Sequence, residues 1–232
     1  METWIEFAKG PLFALTFLIM LIGLIRLVVT QVYSINAGRG RMLKNAPWKK
    51  IIGEAASWIV PIRHLIPGTK IFSVVSFLCH IGIIVVPLFL ADHIILWEGF
   101  LNINLPQISY GLADFLTLFT IVCLLVLMGF RIFSARLRSM SNKTDYILLV
   151  MMLLPFTSGY LALHPNINPF PWNATMLTHL LSAELLFVII PFTKLAHVVL
   201  FFFDRISAIH WQLRPGAGDQ VAEMLYGKEA KV

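Results

Sequence analysis

Five stretches of this chain are long and apolar enough to cross a lipid bilayer, and most of its charges collect between them. A hydrocarbon core about 30 Å thick takes roughly 20 residues of α-helix. In lipid only helices and closed barrels satisfy every backbone group internally. The stretches are residues 11–31 (with Arg26 inside), 71–96, 112–133, 146–163 and 176–203. Glu2, Glu6 and Lys9 precede the first, which is not the basic lead of a cleaved signal, so it is expected to remain as a span. Only 13% of residues are charged, against about 25% in a soluble domain. This excludes a water-soluble globule, and the high hydrophobicity excludes disorder. The expected fold is all-α, an integral membrane bundle of five transmembrane helices.

The net charge of +6 suggests an acidic partner until its distribution is traced. Arg39, Arg41, Lys44, Lys49, Lys50, Arg63 and Lys70 lie between spans one and two. Arg136, Arg138 and Lys143 lie between spans three and four, with Arg131 at the edge, and Arg205, Arg214, Lys228 and Lys231 follow span five. The loops 98–111 and 164–175 hold no lysine or arginine. All but Lys9 of the 18 cations therefore fall on one side or at the span ends facing it. By the positive-inside rule that side is cytoplasmic. The N-terminus is then outside and the C-terminus inside, in a cell inner (cytoplasmic) membrane protein of multi-pass type, and the charge gives no reason to expect a nucleic-acid partner.

The inner segment 40–68 is apolar but interrupted by charges and prolines, and reads as one or two amphipathic interfacial helices. It either packs on the bundle or docks a cytoplasmic partner. Residues 211–232 read as a cytoplasmic tail. Cys79 and Cys123 sit in apolar runs, outside any disulfide framework or Cys-rich metal motif.

Ionisable side chains inside a span are costly and mark functional sites. His80 and His93 lie toward the inner and outer parts of span two, and His179 and His197 toward the outer and inner ends of span five. His179 and His197 are 18 residues apart. On an unbroken helix that is five whole turns, so both project from one face, roughly 27 Å apart along the axis. Each depth then offers one histidine from each of two antiparallel spans. Paired axial imidazoles at two depths match two b-type haems, whereas zinc wants about four ligands in one cluster. His93 departs most from this pattern, because its phase relative to His80 is about 140° short of four whole turns. Pro87 lies between them and can kink the span. The bland alternative for His93 is an interfacial histidine, and the rival outer ligand is His164. His64 and His210 read as surface residues.

At these residues the chain resembles the gamma subunit of respiratory nitrate reductase and its relatives, five-span cytochromes b with two haems. The matching segments are Phe77-Leu78-Cys79-His80-Ile81-Gly82-Ile83, Arg131-Ile132-Phe133-Ser134-Ala135-Arg136-Leu137-Arg138 followed by Thr144-Asp145, and Pro191-Phe192-Thr193-Lys194-Leu195-Ala196-His197. The spacing of His179 and His197 is also the family's, and the resemblance covers about residues 71–210. It implies that His80 and His197 hold an inner haem and His179 an outer one. The family's fourth ligand would fall at Leu90 here, and His93, one turn further along, is the substitute. The outer quinol-site lysine of the nitrate reductase type is not evident in 98–110. Both departures suggest a relative serving another partner, such as the branch that accompanies heterodisulfide-reductase-like iron–sulfur proteins.

The resemblance thus implies a cytochrome b domain over 1–210. Its expected role is to carry electrons between the quinone pool outside, menaquinone or another quinone, and a cytoplasmic iron–sulfur subunit of nitrate-reductase-beta-like or heterodisulfide-reductase-like type. It would be an electron-transfer subunit of an oxidoreductase complex. Arg26, Arg131 and Arg136 are candidate propionate contacts, with interfacial anchoring as their ordinary use. Asp92, Tyr160 and His164 are candidate quinone-site residues, Ser109 and Tyr110 lie near that depth, and Glu184 is the deepest acid. Gly82, Gly129 and Gly159 are expected to allow close approach of a helix or haem. Met151 and Met152 are expected to pack. The competing readings are a proton-relaying transporter and a haem-free membrane anchor.

Overall fold

The computed structural model describes residues 1–43, 48–57, 70–212 and 216–227 of the chain. Among these residues all regular structure is helical. Helix α1 (Glu2–Phe7) runs through a π-turn (Ala8–Leu12) into α2 (Phe13–Leu43). Then come α3 (Trp48–Ser57), α4 (Lys70–Phe89), α5 (Ala91–Leu101), α6 (Tyr110–Phe133), α7 (Ala135–Ser139), α8 (Lys143–Leu163) and α9 (Trp172–Ile189). Two 3₁₀ turns, Ile190–Phe192 and Lys194–Ala196, lead into α10 (His197–Gln212) and α11 (Ala217–Tyr226). Five helical segments are long and apolar enough to cross a membrane: Glu2–Ser34, Lys70–Phe89, Tyr110–Phe133, Lys143–Leu163 and Trp172–Phe192. The chain is a multi-pass, all-helical membrane protein.

The ends of these helices follow local chemistry. The Ser109 and Ser134 hydroxyls accept the backbone N–H of Leu112 and Leu137, capping α6 and α7. Asn142 and Asp145 form a capping box that starts α8. Asn102, in the left-handed region at φ 54°, stops α5.

The chain divides into two compact units, residues 1–20 with 65–189 and residues 21–64 with 190–232. In the first, α4 packs on α6, α6 on α8, α8 on α9, and α9 on α1 and the π-turn. Burial from water cannot hold spans together in lipid, so close contact must. Cys79, Cys123, Leu124 and Leu127 form one core, covered by Phe72, Ile83, Met152 and their neighbours. Gly82 sits so close to the Thr120 side chain that an added Cβ would collide with it. Phe13 and Phe17 gather Trp97, Phe100 and Phe187 at ring distances of 5.6–6.0 Å. In the second unit α3 packs on α10, and Gly23 is pressed against Pro191.

Two expected spans are broken, and both breaks are corrections to the sequence reading. The span expected at 71–96 leaves helical geometry at Leu90, whose ψ is 133°. Pro87, three residues before, cannot donate to the ladder. The freed carbonyls find other donors: the Trp97 indole N–H reaches Pro87 O at 3.1 Å, and the Ile108 N–H reaches Phe89 O at 3.0 Å. The span expected at 176–203 tightens into the 3₁₀ turns, with Thr193 extended between them. Pro191 again removes a donor. The whole-turn arguments relating His80 to His93 and His179 to His197 assume unbroken helices and do not apply here. Of the segment expected amphipathic at 40–68, the end of α2 and α3 are described, while residues 58–69, His64 among them, lie outside the described residues. Helix α11 occupies part of the expected tail.

Candidate functional site

His93 is the third residue of α5, placed by the break at Leu90. Its ring faces that of His179 on α9, with centroids 5.9 Å apart and planes 7° from parallel. Two metal–imidazole bonds of about 2 Å in line, plus half a ring at each end, also span about 6 Å. Two histidines at this separation could hold one metal between them.

Helix α8 fixes His179. The Nδ1 atom lies 2.8 Å from Pro155 O, and a carbonyl only accepts, so Nδ1 carries the hydrogen. Nε2 is then the nitrogen left for a ligand, which is the usual arrangement of a metal-binding histidine. One turn along α8, Gly159 lies under the same ring. A Cβ there would sit 2.8 Å from Cε1 and 2.9 Å from Nδ1 of His179, closer than atoms tolerate. On the facing side, His93 Nδ1 is buried and has no hydrogen-bond partner. The Val86 and Pro87 carbonyls on the broken turn are its backbone neighbours.

His80 and His197 are placed differently. His80 is exposed on α4 in the first unit, with Nδ1 2.6 Å from Ser76 O. His197 opens α10 in the second unit, also exposed, with Nδ1 2.7 Å from Lys194 O. Each is thus oriented by a carbonyl of the preceding turn, in the same tautomer as His179.

The rival outer histidine, His164, is engaged at both nitrogens. Nδ1 lies 2.8 Å from Tyr160 O, and Nε2 lies 3.3 Å from Asp114 Oδ2 on α6. Its ring stacks on that of Tyr160, with centroids 4.2 Å apart. Tyr160 adjoins Gly159, so this cluster begins one residue from the helix surface that touches His179. Asp92 is exposed beside His93 and has no part in the cluster.

Among the arginines, Arg131 is committed within the fold. It donates to Ser141 Oγ at 2.7 Å, lies 3.9 Å from Asp145 and sits 5.4 Å from the Phe72 ring centre. The Tyr146 hydroxyl bonds its carbonyl at 2.9 Å, so the group ties α6 to α8. Arg26 and Arg136 are exposed, on α2 and α7. Gly82 and Gly159 meet tight neighbours as expected, but a Cβ at Gly129 would meet only the Phe133 ring at 4.0 Å. Met152 packs on the Cys79–Cys123 core.

Sequence reasoning missed Asp114, Pro155 and Trp97 as site residues. Asp114 is one acid near a span start, with no spacing that relates it to His164. Pro155 acts through its carbonyl, which no side-chain pattern reveals. Among the described residues no three of His, Cys, Asp and Glu gather so as to hold a metal ion by themselves.

A protein of Nitratidesulfovibrio vulgaris, described only as "Protein", is 34% identical over 155 residues, which is 66% of this chain and 67% of that one. No family model matches the chain, and no solved structure matches it.

Proposed function

The chain belongs to the family of that Nitratidesulfovibrio vulgaris protein, and we propose that it is a membrane cytochrome b subunit linking a quinone pool to a cytoplasmic iron–sulfur partner. The observation that carries this reading is the facing of His93 and His179, at 5.9 Å and nearly parallel. In this reading His93 and His179 would hold the outer haem b; His80 and His197, the pair the sequence suggests for the inner one, lie in different units. Bound there, haem supplies reversible one-electron transfer. Pro155 orients His179, and Gly159 leaves space for its ring.

A quinol releases two protons with its two electrons, and in this reading the His164 cluster accepts one of them. Nδ1 of His164 is already a donor to Tyr160 O, so in the neutral ring Nε2 presents a lone pair to Asp114. The contact becomes an ion pair when Nε2 takes a proton, and Asp114 stabilises the imidazolium so formed. Tyr160 holds the ring by stacking. The cation distribution puts this end outside. Protons then leave outward while electrons pass inward. Each charge so moved against 100 mV stores about 2.3 kcal/mol.

A proton-relaying transporter is the second reading, favoured by the breaks at Leu90 and Ile190–Ala196. We prefer the first because each break adjoins a histidine of the ligand set, His93 or His197. The deciding experiment is the reduced-minus-oxidised absorption spectrum of the purified protein. A b-type band from two haems is expected, and its absence would overturn the cytochrome reading.

A further inference from the structure

One ionisable group in the spans has no place in the scheme above. Glu184 is 4% exposed, and neither of its carboxyl oxygens meets a hydrogen-bond partner. Its neighbours in sequence show where it points. Leu180, four residues earlier, packs on Ile5 and Ala8. Phe187, three residues later, packs on Phe13 and Phe17 at 6.0 Å. Positions three and four apart share a helix face. Glu184 therefore faces the first helix between these contacts, level with the π-turn Ala8–Leu12. Such a turn widens the helix and is frequent at functional sites, and Pro11 within it leaves a backbone carbonyl without its usual donor.

The described ionisable side chains on the elements packed against α9 are Glu2 and Glu6 on α1, Lys9 on the π-turn, Arg26 and Tyr33 on α2, Asp92, His93 and Glu98 on α5, and Lys143, Asp145, Tyr146 and Tyr160 on α8. None of them bonds the Glu184 carboxyl. On α9 itself the ionisable neighbour is His179, five residues away, or about 7.5 Å of helix rise. A buried carboxylate without a partner is strongly disfavoured, so its protonation must answer to whatever charge the neighbouring site carries.

We propose that Glu184 is a proton-exchanging group coupled to the His93–His179 site, binding a proton when an electron arrives there and releasing it when the electron leaves. This rests on the cytochrome reading. Arrival of one electron removes one positive charge, and Glu184 then takes one proton from water, so no net charge accumulates in the bilayer. At a separation of roughly 10 Å and an effective dielectric constant of about 20, the charge change alters proton affinity by on the order of tenfold. Linkage is reciprocal. The outer centre must therefore become harder to reduce as pH rises, over the range in which Glu184 titrates.

Redox-difference infrared spectroscopy of the purified chain tests this, with the optical spectrum recorded on the same sample. A carboxylic C=O band should appear on reduction, vanish in Glu184→Gln, and shift in wild-type protein labelled with ¹³C-glutamate. The label arm needs no variant for the described residues, because there Glu2, Glu6, Glu54, Glu98 and Glu223 are exposed; Glu229 lies outside them. Glu184→Gln should also flatten the pH dependence of the outer midpoint potential while leaving the inner one unchanged. Haem bands without a redox-linked glutamic band, or a band that persists in Glu184→Gln, would overturn the Glu184 proposal alone. A sample without b-type absorption would overturn the cytochrome reading on which it stands.

Discussion

The two histidine pairs are held in contrasting ways. His93 and His179 lie in one compact unit, ring against ring, with Pro155 and Gly159 of α8 closing on His179. His80 and His197 belong to different units, are exposed, and each bonds a carbonyl of its own preceding turn. The outer geometry is set by packing between three helices, so the polypeptide itself preorganises it. At His80 and His197 a carbonyl of the preceding turn fixes the tautomer of each ring.

The contrast is broken most directly by removing one ligand from each pair. His179→Ala should abolish the outer haem and take about half of the b-type absorbance, and His197→Ala should take the other half. Redox titration, which resolves the two centres, checks this. If either variant loses both haems, the sites are not separately held.

Next in size, under the proposed function, is the effect at the cluster of His164, Asp114 and Tyr160. His164→Ala or Asp114→Asn should slow quinol-driven reduction by roughly 10²–10⁴-fold while leaving both haem bands in place. A slowed reaction with a lost band would mean instead that His164 is a ligand.

Gly159→Val sharpens the preorganisation argument. The added atoms overlap the His179 ring, and overpacking of this kind costs about 1–3 kcal/mol. The outer midpoint potential should shift or the outer haem be lost, with the inner potential unchanged. The smallest effect is expected from Trp97→Phe, which leaves Pro87 O without its donor. A buried unsatisfied carbonyl costs about 1–3 kcal/mol, so thermal unfolding followed by helix signal should occur at lower temperature, with the two haem bands initially intact.

Much of the architecture was legible in the amino-acid order. Five apolar runs of sufficient length leave only helices as a solution in lipid, and five such segments are present. Pro87 reads as a kink, but nothing in the sequence marks the full break at Leu90. A proline only weakens the ladder, and whether the helix bends or ends depends on donors elsewhere, here Trp97 and Ile108. The same holds at Pro191: on one unbroken rod His179 and His197 would share a face, and the 3₁₀ turns between α9 and α10 remove that relation. His93 was singled out by type and depth, although its helical phase spoke against it, and the break removes that objection.

By itself, then, the sequence determined the class, the number of spans and the residue types available at each depth. These follow from transfer of apolar groups into lipid and from charge counting, both of which are additive along the chain. Tertiary structure alone decided which groups meet: His93 opposite His179, Asp114 beside His164, and Glu184 buried without a partner. Such meetings depend on where helices break and how closely they approach, and those are set by backbone carbonyls and glycines whose partners lie far away in the chain.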